Sequence, residues 1–204
     1  MGEVPVMAKR EKNAEKSKLD ILEAAESQFA EKGFYGARID EIAKLAQINK
    51  RMIYEYFVNK ENLYKQVLFR VYSRMEAVEY ALLCENQSGA ALIRSIIAAY
   101  FAFLRANPSF VNILMWENLN KASYLNELPP EQVHRKTIRI FKEKILEGIR
   151  AGEFKSTVDA EQTVLSLIVV CFANFSNRYT LSTLFEQDLR EEEILEIRKK
   201  HTID

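Results

Sequence analysis

The segment 38–61, RIDEIAKLAQINKRMIYEYFVNKE, constrains the fold more than any other stretch of the chain. Ile39, Ile42, Ala43 and Ala46 fall on one stripe of a short helix. Ile48 sits in a break, and Ile53 and Phe57, four residues apart, start a second stripe. Ala43 is small where two steeply crossing helices must touch. Asn49 is a natural N-cap for the second helix, because its side-chain oxygen can accept from the N–H of Arg51 or Met52. The face opposite Ile53 and Phe57 shows Lys50, Arg51, Tyr54 and Glu55. A short capped helix presenting two cations and an aromatic hydroxyl suits the major groove of duplex DNA. The same pattern also fits two ordinary antiparallel helices with a charged outer face, so the flanks must decide.

Upstream, Leu19, Leu22, Ala25 and Phe29 share one helical face, closed by Gly33, which tolerates the left-handed conformation of a helix end. Downstream, Asn59 caps a long helix whose first residue is Lys60. A helix start carries partial positive charge and Lys60 adds a full one, so this end is expected to hold a DNA phosphate.

With these flanks, residues 16–64 resemble the tetracycline-repressor (TetR) family of one-component regulators. The match runs through FAEKGFYGA, IDEIAKLA, NKRMIYEYF and NKENLY. The resemblance implies that the second and third helices form a reading head and that the remainder is a helical ligand-binding and dimerisation body. DNA contacts are then expected from Arg38, Lys50, Arg51, Met52, Tyr54, Glu55, Tyr56 and Lys60.

Three positions depart from the family pattern. Arg38 stands where the family usually has Thr, so a capping box is lost at a cost of about 0.5–2 kcal/mol. An arginine there can instead reach a phosphate bidentately. Gln47 occupies a tight turn where Gly is common, and in a left-handed conformation it is strained by about 1–2 kcal/mol. Met52 replaces a hydroxyl residue, exchanging a phosphate contact for an apolar contact to a thymine methyl.

Bulk charge is silent about partners, since 29 Lys and Arg balance 29 Asp and Glu over 204 residues. Any DNA binding must come from local placement. With 48% hydrophobic residues the chain can bury a sizeable core. Cys84 and Cys171 lie in apolar helical stretches without metal-ligand spacing and read as buried free thiols of a reducing compartment. The start MGEVPVMAKREKNAEKSK lacks the apolar core of a signal peptide, and no apolar run approaches the roughly 20 residues that cross a bilayer, so a cytoplasmic protein without a membrane partner is expected.

Glycines and prolines are few, and no segment alternates with period two, so the chain reads as all-α. The expected organisation is a disordered basic arm at 1–15, a three-helix head at 16–62 and a larger helical domain at 63–204. A helix from Lys60 to about Glu85 carries Leu63, Val67, Val71, Met75, Val78 and Leu82 from head to body. Further helices are expected at 90–106, 109–119 and 131–151. Val164–Phe175, VLSLIVVCFANF, is apolar nearly all round and must be buried on two sides. One side can meet its own chain and the other a second copy. The family resemblance likewise implies a four-helix bundle across a two-fold axis, here built from 159–184 and 189–204. Val164, Leu167, Ile168, Cys171, Ile194 and Ile197 are the expected interface of this homodimer. The chain stops in apparent helix, so a short further segment is expected beyond it.

Enzymatic readings find little support. His134 and His201 stand in charged helical surroundings, no phosphate loop or nucleophile elbow occurs, and no metal or organic cofactor is expected. Aromatic residues concentrate in 100–175, with Asn112, Glu117, Asn118 and Asn174 threaded among them. A pocket for a small, largely apolar effector is expected from Phe103, Asn112, Trp116, Glu117, Phe141, Phe172 and Phe175, with Trp116–Glu117 as its corner. The alternative is that Glu117 pairs locally and the aromatics are plain core. The reading is a DNA-binding transcription regulator, a repressor released from a palindromic operator by that effector. A helical adaptor whose head has lost DNA binding is the rival.

Overall fold

Spacing of apolar residues by three and four, with few breakers, yields helices throughout the described residues. The computed structural model describes residues 6–85, 87, 89–129 and 135–203. Ten α-helices follow in order: α1 (Val6–Gly36), α2 (Ile39–Leu45), α3 (Lys50–Phe57), α4 (Lys60–Cys84), α5 (Gly89–Ala106), α6 (Pro108–Leu119), α7 (Arg135–Arg150), α8 (Ala160–Ser176), α9 (Arg178–Leu184) and α10 (Glu192–Ile203). A 3-10 turn at Leu125–Glu127 lies between α6 and α7. The chain divides into two compact units, residues 1–70 with 112–128, and residues 71–111 with 129–204. The expected boundary stood at 62; the first unit runs on through the first part of α4 and takes in a segment from mid-chain.

In the first unit, α1 reaches back to Val6, so the stretch expected as a disordered arm is helical from that residue. Charged pairs one turn apart support such a helix, as Lys18 and Glu15 do at 2.9 Å. Its buried face is Ile21, Ala24, Ala25 and Phe29, whereas Leu19 is exposed. Gly33 interrupts α1 at φ +66° and ψ 179°, a region open essentially to glycine alone. Gln47 turns the chain between α2 and α3 at φ +55°, the left-handed conformation in which a non-glycine residue is strained. Asn49 Oδ1 accepts from Arg51 N at 2.8 Å and Asn59 Oδ1 from Asn62 N at 2.8 Å, so both caps form. Between them Val58 sits at φ +66° and ψ −53°, with Asn59 N donating to Phe57 O at 2.6 Å. That is a γ-turn, and a β-branched residue at its centre is strained.

In the second unit, α5 packs on α7, α8 and α10. Leu92, Ile96, Ile97, Tyr100 and Phe101 of α5 are buried with Phe141 and Ile145 of α7 and Val164, Cys171 and Phe175 of α8. By length and composition α5 alone among single described helices could span a bilayer, but it supplies the core of this unit. Pro108 opens α6, where its missing N–H costs nothing. The expected single helix over 159–184 breaks at Asn177, and α8 and α9 meet at 73°. Asparagine competes for local hydrogen bonds and holds helix interiors poorly. The helix expected over 131–151 is described only from Arg135; residues 130–134, His134 among them, lie outside the described residues.

Candidate nucleic-acid interface and buried cavity

The outer face of α3 is organised by charge pairs. Lys50 Nζ lies 2.7 Å from Asp40 Oδ1 in the first turn of α2, which raises the lysine pKa through that hydrogen bond. Arg51 Nε lies 3.2 Å from Glu55 Oε1, one turn along the same helix. Lys32 and Glu41 pair at 2.8 Å, raising the lysine pKa and lowering that of the carboxylate. Arg38 precedes α2, forms no cap and is exposed, as its residue type requires. Tyr54 is exposed, Met52 is half-buried, and half-buried Tyr56 carries the Lys18 ammonium 5.7 Å from its ring centre. Tyr56 therefore faces Lys18 of α1.

Lys60, expected to hold a phosphate, has a partner within the head. Its ammonium rests 4.8 Å from the Phe34 ring centre, and burial lowers its pKa. A desolvated cation gains from an aromatic face, so this side chain folds back onto the head. Asp40 is a site residue that the sequence reading missed. Its signal was available: an acid in the first turn of α2 beside a helix that opens with lysine.

Trp116 and Glu117, expected as a pocket corner, serve the first unit as structure. Trp116 Nε1 donates to Ala30 O at 3.3 Å, near the break at Gly33. Glu117 is only 2% exposed and accepts from Tyr64 Oη at 2.9 Å and Leu125 N at 3.0 Å. Around this pair Phe34, Tyr64 and Tyr124 pack with ring centres 4.4–5.3 Å apart. Asn112 is exposed, Asn118 Nδ2 donates to Leu114 O, and Asn174 Nδ2 donates to Val170 O. The polar residues threaded among the aromatics thus face solvent or have partners within the protein.

The second unit holds a cavity elsewhere, lined by Glu79, Leu83, Ile96, Tyr100, Thr137, Ile138, Phe141, Val164 and Ile168. Its volume is about 10 Å³, roughly the room one water needs. Phe141 alone of the expected pocket residues lines it. Phe175 lines a second small cavity with Phe101 and Leu195. Phe103 packs edge-on against Phe110 at 5.2 Å, and Phe172 is half-buried. Glu79 and Thr137 are polar members that sequence reading missed, and Tyr100 entered it only as one of the aromatic residues of 100–175. The Tyr100 hydroxyl donates to Glu79 Oε1, and burial with this carboxylate pushes the Tyr100 pKa far up. Strict four-residue spacing in α4 runs Leu63, Val67, Val71, Met75, Glu79, Leu83, and a carboxylate in that register was the legible signal. It also leaves Cys84 exposed, against expectation, while Cys171 is fully buried.

The expected dimer residues divide. Val164 and Cys171 turn into the core of their own unit and Val164 and Ile168 line the cavity, so these cannot form an outward face. Leu167 and Ile194 are half-buried and Ile197 is exposed. The outward apolar face of α8 consists of Leu165, Val169 and Val170, at 52%, 54% and 43% exposure. A helix apolar all round does not reveal which side is which, hence the shift by one residue.

Residues 21–67 match the family described as bacterial regulatory proteins, tetR family, and residues 90–204 match the tetracyclin repressor-like C-terminal domain. The HTH-type transcriptional repressor NicS of Pseudomonas putida is 29% identical over 185 residues, 90% of this chain and 87% of that protein. The HTH-type transcriptional regulator RutR of Escherichia coli is 39% identical over 70 residues, 34% of this chain and 33% of its own. The crystal structure of FadR from Bacillus subtilis in complex with stearoyl-CoA superposes with a TM-score of 0.69 at 19% identity, covering 91% of this chain and 97% of that one.

Proposed function

Because this chain belongs to the tetracycline-repressor family of bacterial regulators, we propose that it represses transcription as a homodimer whose two heads read a palindromic operator until a small, largely apolar effector releases it. The observation that carries the DNA reading is the outer face of α3. Its start is fixed by the Asn49 cap, and it presents Lys50, Arg51, Tyr54 and Glu55 side by side. Such a helix enters a major groove, and a two-fold dimer places its mate about 34–36 Å away in the next one. The name of NicS as a repressor supports repression, and DNA as partner makes the cytoplasm the working compartment.

The effector site is the cavity with Glu79, Tyr100 and Thr137 among apolar walls. An acyl-CoA in a protein of the same fold supports a ligand-binding body. A cavity with room for one water must open to admit any such ligand, so binding selects a second state of this unit. Helix α4 begins in the unit with the reading head and ends in the unit with the cavity, so it is one covalent route between them, beside the crossings at 111–112 and 128–129. Effector and operator then weaken each other by the same factor. The outward face of Leu165, Val169, Val170 and Ile197 is where a second copy docks.

Fluorescence anisotropy with the DNA flanking the chain's own gene tests this reading. Binding preferred over random duplex, falling steeply with salt, is the expected result. Equal, weak binding to both duplexes would instead fit an adaptor with a silent head.

A further inference from the structure

Resting on the DNA reading above, we propose that Arg51 and Glu55 form one composite reader that selects a guanine in each half-site, with Glu55 positioning the arginine. The two side chains stand one turn apart on the outward face of α3, 83% and 56% exposed. Glu55 Oε1 accepts from Arg51 Nε at 3.2 Å. Neither Nη of Arg51 forms a hydrogen bond among the described residues. A guanidinium is rigid and planar, so holding its Nε sets the direction of the edge that carries both Nη groups.

Guanine offers O6 and N7 side by side in the major groove, two acceptors for two parallel donors. Adenine offers one acceptor beside a donor, and thymine one acceptor beside a methyl group. The other outward residues fit this task less well. Lys50 is drawn back toward α2 by Asp40, Tyr54 has a single hydroxyl, and Met52 has no donor. In open water a pair spaced by four residues is weak, but in a groove that excludes water the same contact strengthens. An isolated carboxylate on this face would oppose phosphate or accept from a cytosine N4 amine, and could not read guanine. Joined to Arg51 it restricts where the fork points, and thereby which base is accepted.

Selection of the full chain on a randomised duplex library, followed by sequencing, tests this. The wild type should recover a palindrome with one guanine per half-site preferred by roughly ten- to a hundredfold. Arg51→Lys should flatten that column and leave the others. Glu55→Ala should flatten the same column while strengthening binding to random duplex, because a charge opposing phosphate is gone. Glu55→Gln should retain part of the preference, since its amide oxygen still accepts from Nε. If Glu55→Ala strengthens every duplex alike and moves no column, Glu55 is merely a charge and the inference is overturned. A palindrome indifferent to Arg51→Lys overturns it with DNA binding intact. A wild type that retains no duplex removes the DNA reading and this inference together.

Discussion

Replacing Gly33 by alanine should destabilise the protein for two separable reasons. The residue sits at φ +66° and ψ 179°, and a Cβ built there would lie 2.7 Å from Trp116 Cδ2. Holding an L residue in that backbone region costs about 1–3 kcal/mol. Displacing a packed indole adds about 1–3 kcal/mol. The stiffer unfolded chain offsets about 0.4–1 kcal/mol of this. The expected net loss is therefore about 3 kcal/mol, a fall in Tm of about 6–12 °C for a chain of this size. Thermal and urea unfolding followed by circular dichroism measures it, and repeating Gly33→Ala in a Trp116→Leu background separates the parts. The double-mutant cycle should show a coupling of about 1–3 kcal/mol, leaving only the backbone strain. A Gly33→Ala protein within about 0.5 kcal/mol of wild type, the size of an ordinary surface change, would refute both halves of this reasoning. An unchanged cost in the Trp116→Leu background would refute the steric half alone.

Tyr64→Phe should leave the buried Glu117 carboxylate short of one donor and cost about 1–3 kcal/mol in the same unfolding assay. Adding Glu117→Gln, which removes the charge, should recover part of that loss. Val169→Glu places a charge in the outward apolar face of α8, and sedimentation velocity should show a folded monomer for the variant and a dimer for the wild type. A wild-type monomer at high concentration would remove the proposed interface.

Helical architecture was legible because apolar spacing, cap residues and breakers all agreed along the chain. Asn49, Asn59, Gln47 and Gly33 each act locally, so their roles could be read from residue type and neighbours. What escaped was set by contacts distant in sequence. Trp116 and Glu117 look like pocket residues until Ala30, Tyr64 and Leu125 arrive to satisfy them. Lys60 looks free until Phe34 lies beneath it. The outward apolar face of α8 lies beside the expected one because its apolar periphery gives no phase, whereas the core face of α4 keeps a four-residue register that Glu79 shares.

The segment 112–128 has a consequence for modularity. Residues 1–70 are completed by a stretch encoded some forty positions later, and Ile113, Trp116 and Glu117 are among the groups that seal their core. The reading head is therefore not a transplantable cassette. A chimera that exchanges only the amino-terminal portion between relatives would confront Gly33, Phe34 and Tyr64 with a foreign α6. Grafts that carry both portions preserve the seal between Gly33 and Trp116, which the chain writes far apart.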